Sequence, residues 1–204
     1  MQMENARRAR YKAGVQSEIL EAAREIFIRE GYEGFSMRIL ADRIGYSAAA
    51  TYRHFKSKGE IFQRLADESF AALMQASANV KPIESEDPVN RLKRGMLAYV
   101  DFGLKNPDHY RIAFLLHRPD RPDISEASRP TAAIAGLKSR VRACIDAGRF
   151  QAEDLDLLAQ SLWAAVHGVT SLLIERPSFP WVARGRLIAR VIDSAVEGLF
   201  VKDI

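Results

Sequence analysis

Residues 36–58 read Ser36-Met-Arg-Ile-Leu-Ala-Asp-Arg-Ile-Gly45-Tyr46-Ser47-Ala-Ala-Ala-Thr51-Tyr-Arg-His-Phe-Lys-Ser-Lys58. Two helix starts and one stop are written into this stretch. A serine hydroxyl accepts a hydrogen bond from an amide two or three residues on, so Ser36 predicts an N-cap for a short helix, Met37 to Ile44. Gly45 breaks that helix, because glycine takes the left-handed conformation without penalty. Ser47 then predicts a cap for a second helix, Ala48 to Phe55. Two short helices joined by a glycine turn have the geometry of a helix-turn-helix, whose second helix can place its exposed start in a major groove. Many helical corners share that pattern, so the chemistry around it matters. Tyr52, Arg53 and His54 bunch donors at the far end of the second helix, and Lys56 and Lys58 follow. Such groups suit phosphate oxygens beside the groove.

Upstream, Ile19, Ala22, Ala23, Ile26 and Phe27 recur at helical spacing and predict a helix from Ser17 to Glu30, with Gly31 as its stop. Ahead of it, Arg7, Arg8, Arg10 and Lys12 face a single acidic residue, Glu4. Residues 1–58 carry 11 basic and 7 acidic side chains, while residues 59–204 carry 19 of each, so the net charge of +4 lies wholly in the first part. A basic arm leading a folded segment is a footprint of contact with a polyanion, and a solvated terminus is its plainer reading.

Downstream, Ser57-x-x-Glu60 forms a capping box that opens a fourth helix through Ile61, Leu65 and Ala72 to about Ala78. Residues 79–88 read as a loop, Val89–Lys105 as a helix, and Asn106-Pro107 restarts another. Residues 118–123 read as a second loop. Further helices are expected from about Ser125 to Ala147 with a kink at Pro130, from Gln151 to Glu175, and from Trp181 to Val201. No stretch alternates with a period of two long enough for a strand. The expected fold is all-α with about nine helices, a helix-turn-helix unit followed by a helical bundle.

Leu157 to Ile174 carries no charge over eighteen residues, close to the ~20 that a membrane span requires. Gln160, Ser161, His167, Thr170 and Ser171 are spread around it, which argues for protein rather than lipid on its faces and for no membrane partner. A second copy of the chain is the natural cover. The last helix supports this with a stripe of Leu187, Ile188, Val191, Ile192, Ala195, Val196, Leu199 and Phe200, so a homodimer through the last two helices is expected.

Beyond residue 80 there is no phosphate-binding glycine loop, no paired histidine at metal spacing, and no nucleophile beside a base. No enzyme activity, metal or cofactor is implied. The lone cysteine, Cys144, among Val141, Ile145 and Ala147, reads as a small buried apolar residue rather than a redox sensor. Aromatic and polar groups do stand out on apolar helices: Met96, Tyr99, Phe102, Tyr110, Phe114, His117, Trp163 and His167. An apolar pocket with a few polar anchors is how bundles hold small ligands, although an aromatic stripe is as readily plain core. Trp163 and His167, four apart, share a face, where His167 is equally suited to a hydrogen bond within the core.

The run Ile19-Leu20-x-Ala22-Ala23-x-x-Ile26-Phe27, Gly31-Tyr32, Ser36-Met37-Arg38, Ala41, Gly45, Ser47 and Tyr52-Arg53-His54-Phe55-x-Ser57-Lys58 resembles the tetracycline-repressor (TetR) family of bacterial transcription regulators. The resemblance implies a DNA-binding domain over residues 1–62, an effector-binding and dimerisation domain over 63–204, and a dimer that sets two recognition helices on a palindromic operator in double-stranded DNA. It implies that Tyr52, His54 and Lys58 grip phosphates and that Ser47, Ala48 and Ala49 face base edges. Tyr46 stands where a small aliphatic is commoner, and Thr51 where an apolar core residue is usual. Because Ala48 and Ala49 offer no hydrogen bonds, base reading would fall to thymine methyl contacts, Arg38, Tyr46 and the arm, with Thr51 and Arg53 also counted among the DNA-binding residues. Trp163-x-x-x-His167-Gly168 resembles a C-terminal subgroup named for its Trp-His-Gly motif. The function so implied is a cytoplasmic regulator, a repressor released from its operator by a small, partly apolar effector. The alternative is a DNA-binding dimer without effector, its C-terminal half a clamp.

Overall fold

The computed structural model describes residues 2–116, 129–151 and 154–200, and all nine of its α-helices come from sequence signals of the kind just read. They are α1 (Gln2–Gly34), α2 (Met37–Ile44), α3 (Ala48–Tyr52), α4 (Lys58–Ala78), α5 (Pro88–Lys105), α6 (Pro107–Tyr110), α7 (Arg129–Asp146), α8 (Leu155–Glu175) and α9 (Arg184–Glu197), with a π-helical turn, Arg111–Leu115, after α6. Among the described residues the sole β-type pairing is an isolated bridge between Phe150 and Phe200.

Several boundaries differ from expectation. The basic arm is helical: α1 begins at Gln2, because Ala6, Ala9 and Ala13 with the long arginine and lysine side chains favour helix strongly enough to carry Gly14. Gly31 is where α1 bends, at φ 73° and ψ 179°. The α3 helix ends at Tyr52, although Phe55 N–H still bonds to Thr51 O at 3.1 Å. The α7 helix is described from Arg129 onward, so the kink expected at Pro130 falls at the edge of the described residues. Asp154 caps α8 through the Asp156 amide at 2.8 Å, so that helix begins later than Gln151. Before α9, Trp181 turns back to donate its indole N–H to Arg176 O at 2.9 Å and packs on Phe179, which delays the helix to Arg184. The loop expected at 118–123, the start at Ser125 and the end at Val201 lie outside the described residues.

The contacts group into two compact units, residues 1–69 with 108–121, and residues 70–107 with 122–204. The first is built on rings. Phe27, fully buried, stacks on Phe35 at 4.1 Å and meets Phe62 edge-on at 5.1 Å, while Ile19, Leu40, Leu65 and Ile112 fill the surround. The second is aliphatic: Leu92, Met96 and Val100 of α5 pack with Val141 and Cys144 of α7, Leu158, Leu162, Val166, Val169 and Leu173 of α8, and Ile188, Ile192 and Val196 of α9. The apolar stripe of α9 is thus largely spent inside its own chain. That of α8 is not: Leu157 and Leu172 stay 61% and 51% exposed on the face turned away from the core. The α8 helix is long and apolar enough to cross a membrane, and the burial of its other face in the second unit accounts for that composition.

Candidate nucleic-acid interface

The turn between α2 and α3 is closed by three local devices. Ser36 Oγ accepts from Ile39 N–H at 3.1 Å, and Ser47 Oγ accepts from Ala50 N–H at 3.1 Å. Gly45 sits in the left-handed region at φ 69°, ψ 22°, and Tyr46 N–H returns to Ala41 O at 3.0 Å. A longer bond then orients the turn: the Tyr46 hydroxyl donates to Glu18 Oε2 of α1 at 2.9 Å. That bond, helped by burial, raises the phenol above its ordinary value of 10.0. Tyr46 is therefore tied to α1 in the DNA-free chain.

The rest of the candidate set divides by exposure. Ser47, Ala48 and Ala49 at the start of α3, Tyr52 and Arg53 at its end, and Arg38 on α2 are exposed. Thr51 departs from its place among the DNA-binding residues: it is fully buried, and its hydroxyl donates to Ser47 O at 3.3 Å. It fills the core slot on the inner face of α3, with its one polar atom satisfied by its own helix. His54 is half-buried, and its Nδ1 is enclosed without a hydrogen-bond partner. The Lys58 ammonium donates to Tyr32 O at 3.3 Å, stands 3.5 Å from Glu33, and lies 4.3 Å over the Tyr32 ring. Half of the expected box forms, with Glu60 N–H donating to Ser57 Oγ, while the Glu60 carboxylate accepts from the N–H of Lys56 instead of Ser57, at 2.6 Å. Arg7, Arg10 and Lys12 are exposed on the first turns of α1; the side chain of Arg8 lies outside the described set.

One cluster escaped the sequence reading. His109 of α6 has Nδ1 3.1 Å from both Arg24 Nη1 and Ser69 Oγ, and Nε2 3.2 Å from Arg24 Nη1. Burial first, then the Arg24 charge, lowers its pKa below 6.5, which favours a neutral ring able to accept from Arg24. Arg24 is also 3.5 Å from Glu21 and 3.6 Å from Glu68. The available signal was Arg24 itself, a cation in the register of the buried Leu20 and Phe27. Nothing pointed to His109 as its partner.

The aromatic and polar candidates of the C-terminal half are not gathered in one place. Tyr110 is fully enclosed and packs on Phe114 at 5.0 Å, in the segment that belongs to the first unit. Met96 and Phe102 are buried, and His117 lies outside the described residues. Three candidates do meet: Trp163 Nε1–H donates to Tyr99 Oη at 3.3 Å, and Tyr99 Oη is 3.0 Å from His167 Nδ1. Burial lowers His167 below 6.5, so a neutral imidazole can accept from Tyr99. Trp163 remains 37% exposed. A separate cleft of about 580 Å3 in the first unit is lined by Leu20, Arg24, His54, Phe55 and four carboxylates, Glu21, Glu60, Asp67 and Glu68, and by none of the seven described candidates. Cys144 is buried, and burial with the nearby Asp87 pushes its thiol up to about 11.

Comparison with known proteins agrees with this division. Residues 19–65 match the bacterial regulatory proteins of the tetR family, and residues 92–195, just over half the chain, match the tetracyclin repressor-like C-terminal domain. The transcriptional activator FasR of Mycolicibacterium smegmatis is 28% identical over 194 residues, 90% of this chain and 78% of that one. The transcriptional repressor AcnR of Corynebacterium diphtheriae is 36% identical over 84 residues, 41% of this chain and 40% of its own. Among solved structures, the TetR family regulator PfmR of Thermus thermophilus superposes with a TM-score of 0.68 at 26% identity, over 90% of this chain and 99% of that one. A tetR family regulatory protein of Rhodococcus shares the fold with a TM-score of 0.74 at 21% identity, over 92% and 98%. With the helix-turn-helix and the C-terminal bundle both matched, the chain belongs to the tetracycline-repressor family, whose members are dimeric DNA-binding regulators of transcription rather than enzymes.

Proposed function

We propose that this chain is a cytosolic, effector-responsive repressor that reads a palindromic operator. The observation that carries the reading is the exposed start of α3, Ser47-Ala48-Ala49, flanked by exposed Arg38, Tyr52 and Arg53 while Thr51 anchors the helix from beneath. In the operator complex, Ala48 and Ala49 lie against base edges, where their methyl groups suit thymine, and Arg38 supplies a hydrogen-bonding reader. Tyr52, Arg53, His54 and Lys58 face phosphates, with the Tyr32 carbonyl and ring holding the Lys58 ammonium in place. Arg7, Arg10 and Lys12 extend the cationic surface along α1.

The dimer forms through the outer face of α8, where Leu157 and Leu172 are exposed, with α9 beside it. Two-fold pairing sets the recognition helices about 34–36 Å apart, one turn of DNA. The effector is small and partly apolar, and Tyr99, Trp163 and His167 offer it hydrogen-bonding groups at the edge of the aliphatic core. Its message has a covalent path: α5 runs through Asn106 into α6, where His109 grips Arg24 and Ser69. An effector acts only through unequal affinity for the two states, and a complete switch needs ~5.5 kcal/mol of difference.

Selection of bound sites from random duplexes tests the reading. The expected result is a palindromic consensus with half-sites one turn apart, and failure to enrich any duplex would sink it. Compounds that raise the melting temperature of the free protein and release the selected duplex identify the effector. Release by no compound would leave the second half as a clamp.

A further inference from the structure

Among its described residues, the second unit holds two half-buried arginines, Arg91 and Arg140, to which no carboxylate is bonded. On α5, Arg94 takes Glu86 with two bonds, Nε to Oε1 and Nη2 to Oε2, each 2.8 Å. Arg140 of α7 has no such partner. Its Nη1 donates to Ser77 Oγ at 3.2 Å and Gly136 O at 3.1 Å, and its Nη2 to Ser77 O at 2.8 Å, all of them uncharged acceptors. Its Nε is buried with no acceptor, and so is the Nε of Arg91. Arg91 stands one turn before Gly95 on α5, and Gly95 is what admits Arg140: a Cβ there would fall 2.9 Å from the Arg140 Nε. Burial, then repulsion from Arg91 and Arg94, lowers the pKa of Arg140, and no carboxylate among the described residues counters it. Enclosed guanidinium groups are normally paired, because the desolvated charge is costly otherwise, and their planar N–H forks match carboxylate and phosphate oxygens.

We propose that Arg140 and Arg91 form a seat for the anionic group, a carboxylate or a phosphate, of a small molecule held in the second unit. This rests on the effector reading above and adds the charge class of that effector. The anion takes the two unpaired Nε–H donors and competes with Ser77 for the Arg140 guanidinium. Ser77 lies in the last turn of α4, so occupancy of the seat loosens a tie on the helix whose first residue is Lys58.

The arginine Nε–H resonances of the 15N-labelled full-length protein test it, titrated separately with sodium phosphate and sodium acetate at ionic strength held constant with sodium chloride. The expected result is saturable movement of two resonances, lost in turn in Arg140→Gln and Arg91→Gln, with each substitution weakening binding about tenfold or more. Arg91→Gln removes no observed hydrogen bond, so it carries the test should Arg140→Gln fail to fold. Saturation by phosphate alone identifies a phosphorylated ligand, and saturation by acetate a carboxylate. Shifts that merely follow chloride, or saturable shifts that survive both substitutions, overturn the seat. If phosphate or acetate saturates it and no anionic compound releases the selected duplex, the seat stands and the effector reading fails. If a compound releases the duplex with both Nε–H signals unmoved, the seat alone fails.

Discussion

Among the described arginines, one in each unit turns its guanidinium partly inward, and the two are treated oppositely. Arg24 in the first unit, 12% exposed along its side chain, is surrounded by Glu21, Glu68 and a neutral-leaning His109. Arg140 in the second unit meets only a carbonyl pair and a hydroxyl, beside two more arginines. A cation given its own counter-ions serves architecture, whereas a cation without them is poised to take an anion from outside. The exposed arginines of the first unit, Arg38 and Arg53, differ from both, since a duplex can come to the surface and a small anion must be enclosed.

The widest contrast is between the cores. Phe27→Ala removes the ring on which the first unit is assembled and should cost about 3–5 kcal/mol, read from urea denaturation. A loss under about 1 kcal/mol would mean the stack does not organise that unit. Next, Arg24→Gln should destabilise by about 1–2 kcal/mol, discounted for the exposure of its carboxylate partners, because it leaves His109 with Ser69 and Glu68 with Arg64 as their remaining partners. No added anion should restore it.

Arg53→Ala should reduce the slope of log affinity against log salt by about one, whereas Arg94→Ala should leave it unchanged. Equal slopes for the two would erase the distinction between outward and inward arginines. The histidines whose pKa burial lowers, His109 and His167, set the pH dependence. Both are depressed below 6.5, so between the depressed value and 6.5 the unfolded chain binds more protons than the native one. Stability is therefore complete above about pH 6.5 and falls as the pH drops through that window. Urea midpoints should decline on acidification, and His109→Asn or His167→Asn should each flatten the decline; a rise in acid would contradict the burial argument. The smallest effect belongs to Thr51→Val, which keeps the buried shape and loses one hydroxyl bond to a carbonyl that still holds the Ala50 and Thr51 amides, and it should shift stability by about 0.5–1.5 kcal/mol with the salt slope intact. Loss of base discrimination in that variant would return Thr51 to the DNA surface.

Legibility followed contact distance along the chain. Ser36, Gly45, Ser47, Ser57 and Asp87 act on amides within four residues, and the helices they bound appeared close to where they were expected. The arm is helical because of its alanines, while its charge speaks only to its partner and not to its backbone. Thr51 was read in two ways, and only burial chose between them. Tyr46–Glu18, Arg24–His109 and Tyr99–His167 join residues 28, 85 and 68 apart, and no local pattern names such partners.

By itself, then, the amino-acid order determined the all-helical class, the helix-turn-helix and the cationic bias of the first quarter, because caps, breakers and charge are properties of near neighbours. The packed chain alone decided which cations face outward, which residues hold the histidines neutral, and which arginines are left without an anion. Those outcomes depend on distances between helices remote in the chain, and burial multiplies the energy of every charge that such packing encloses.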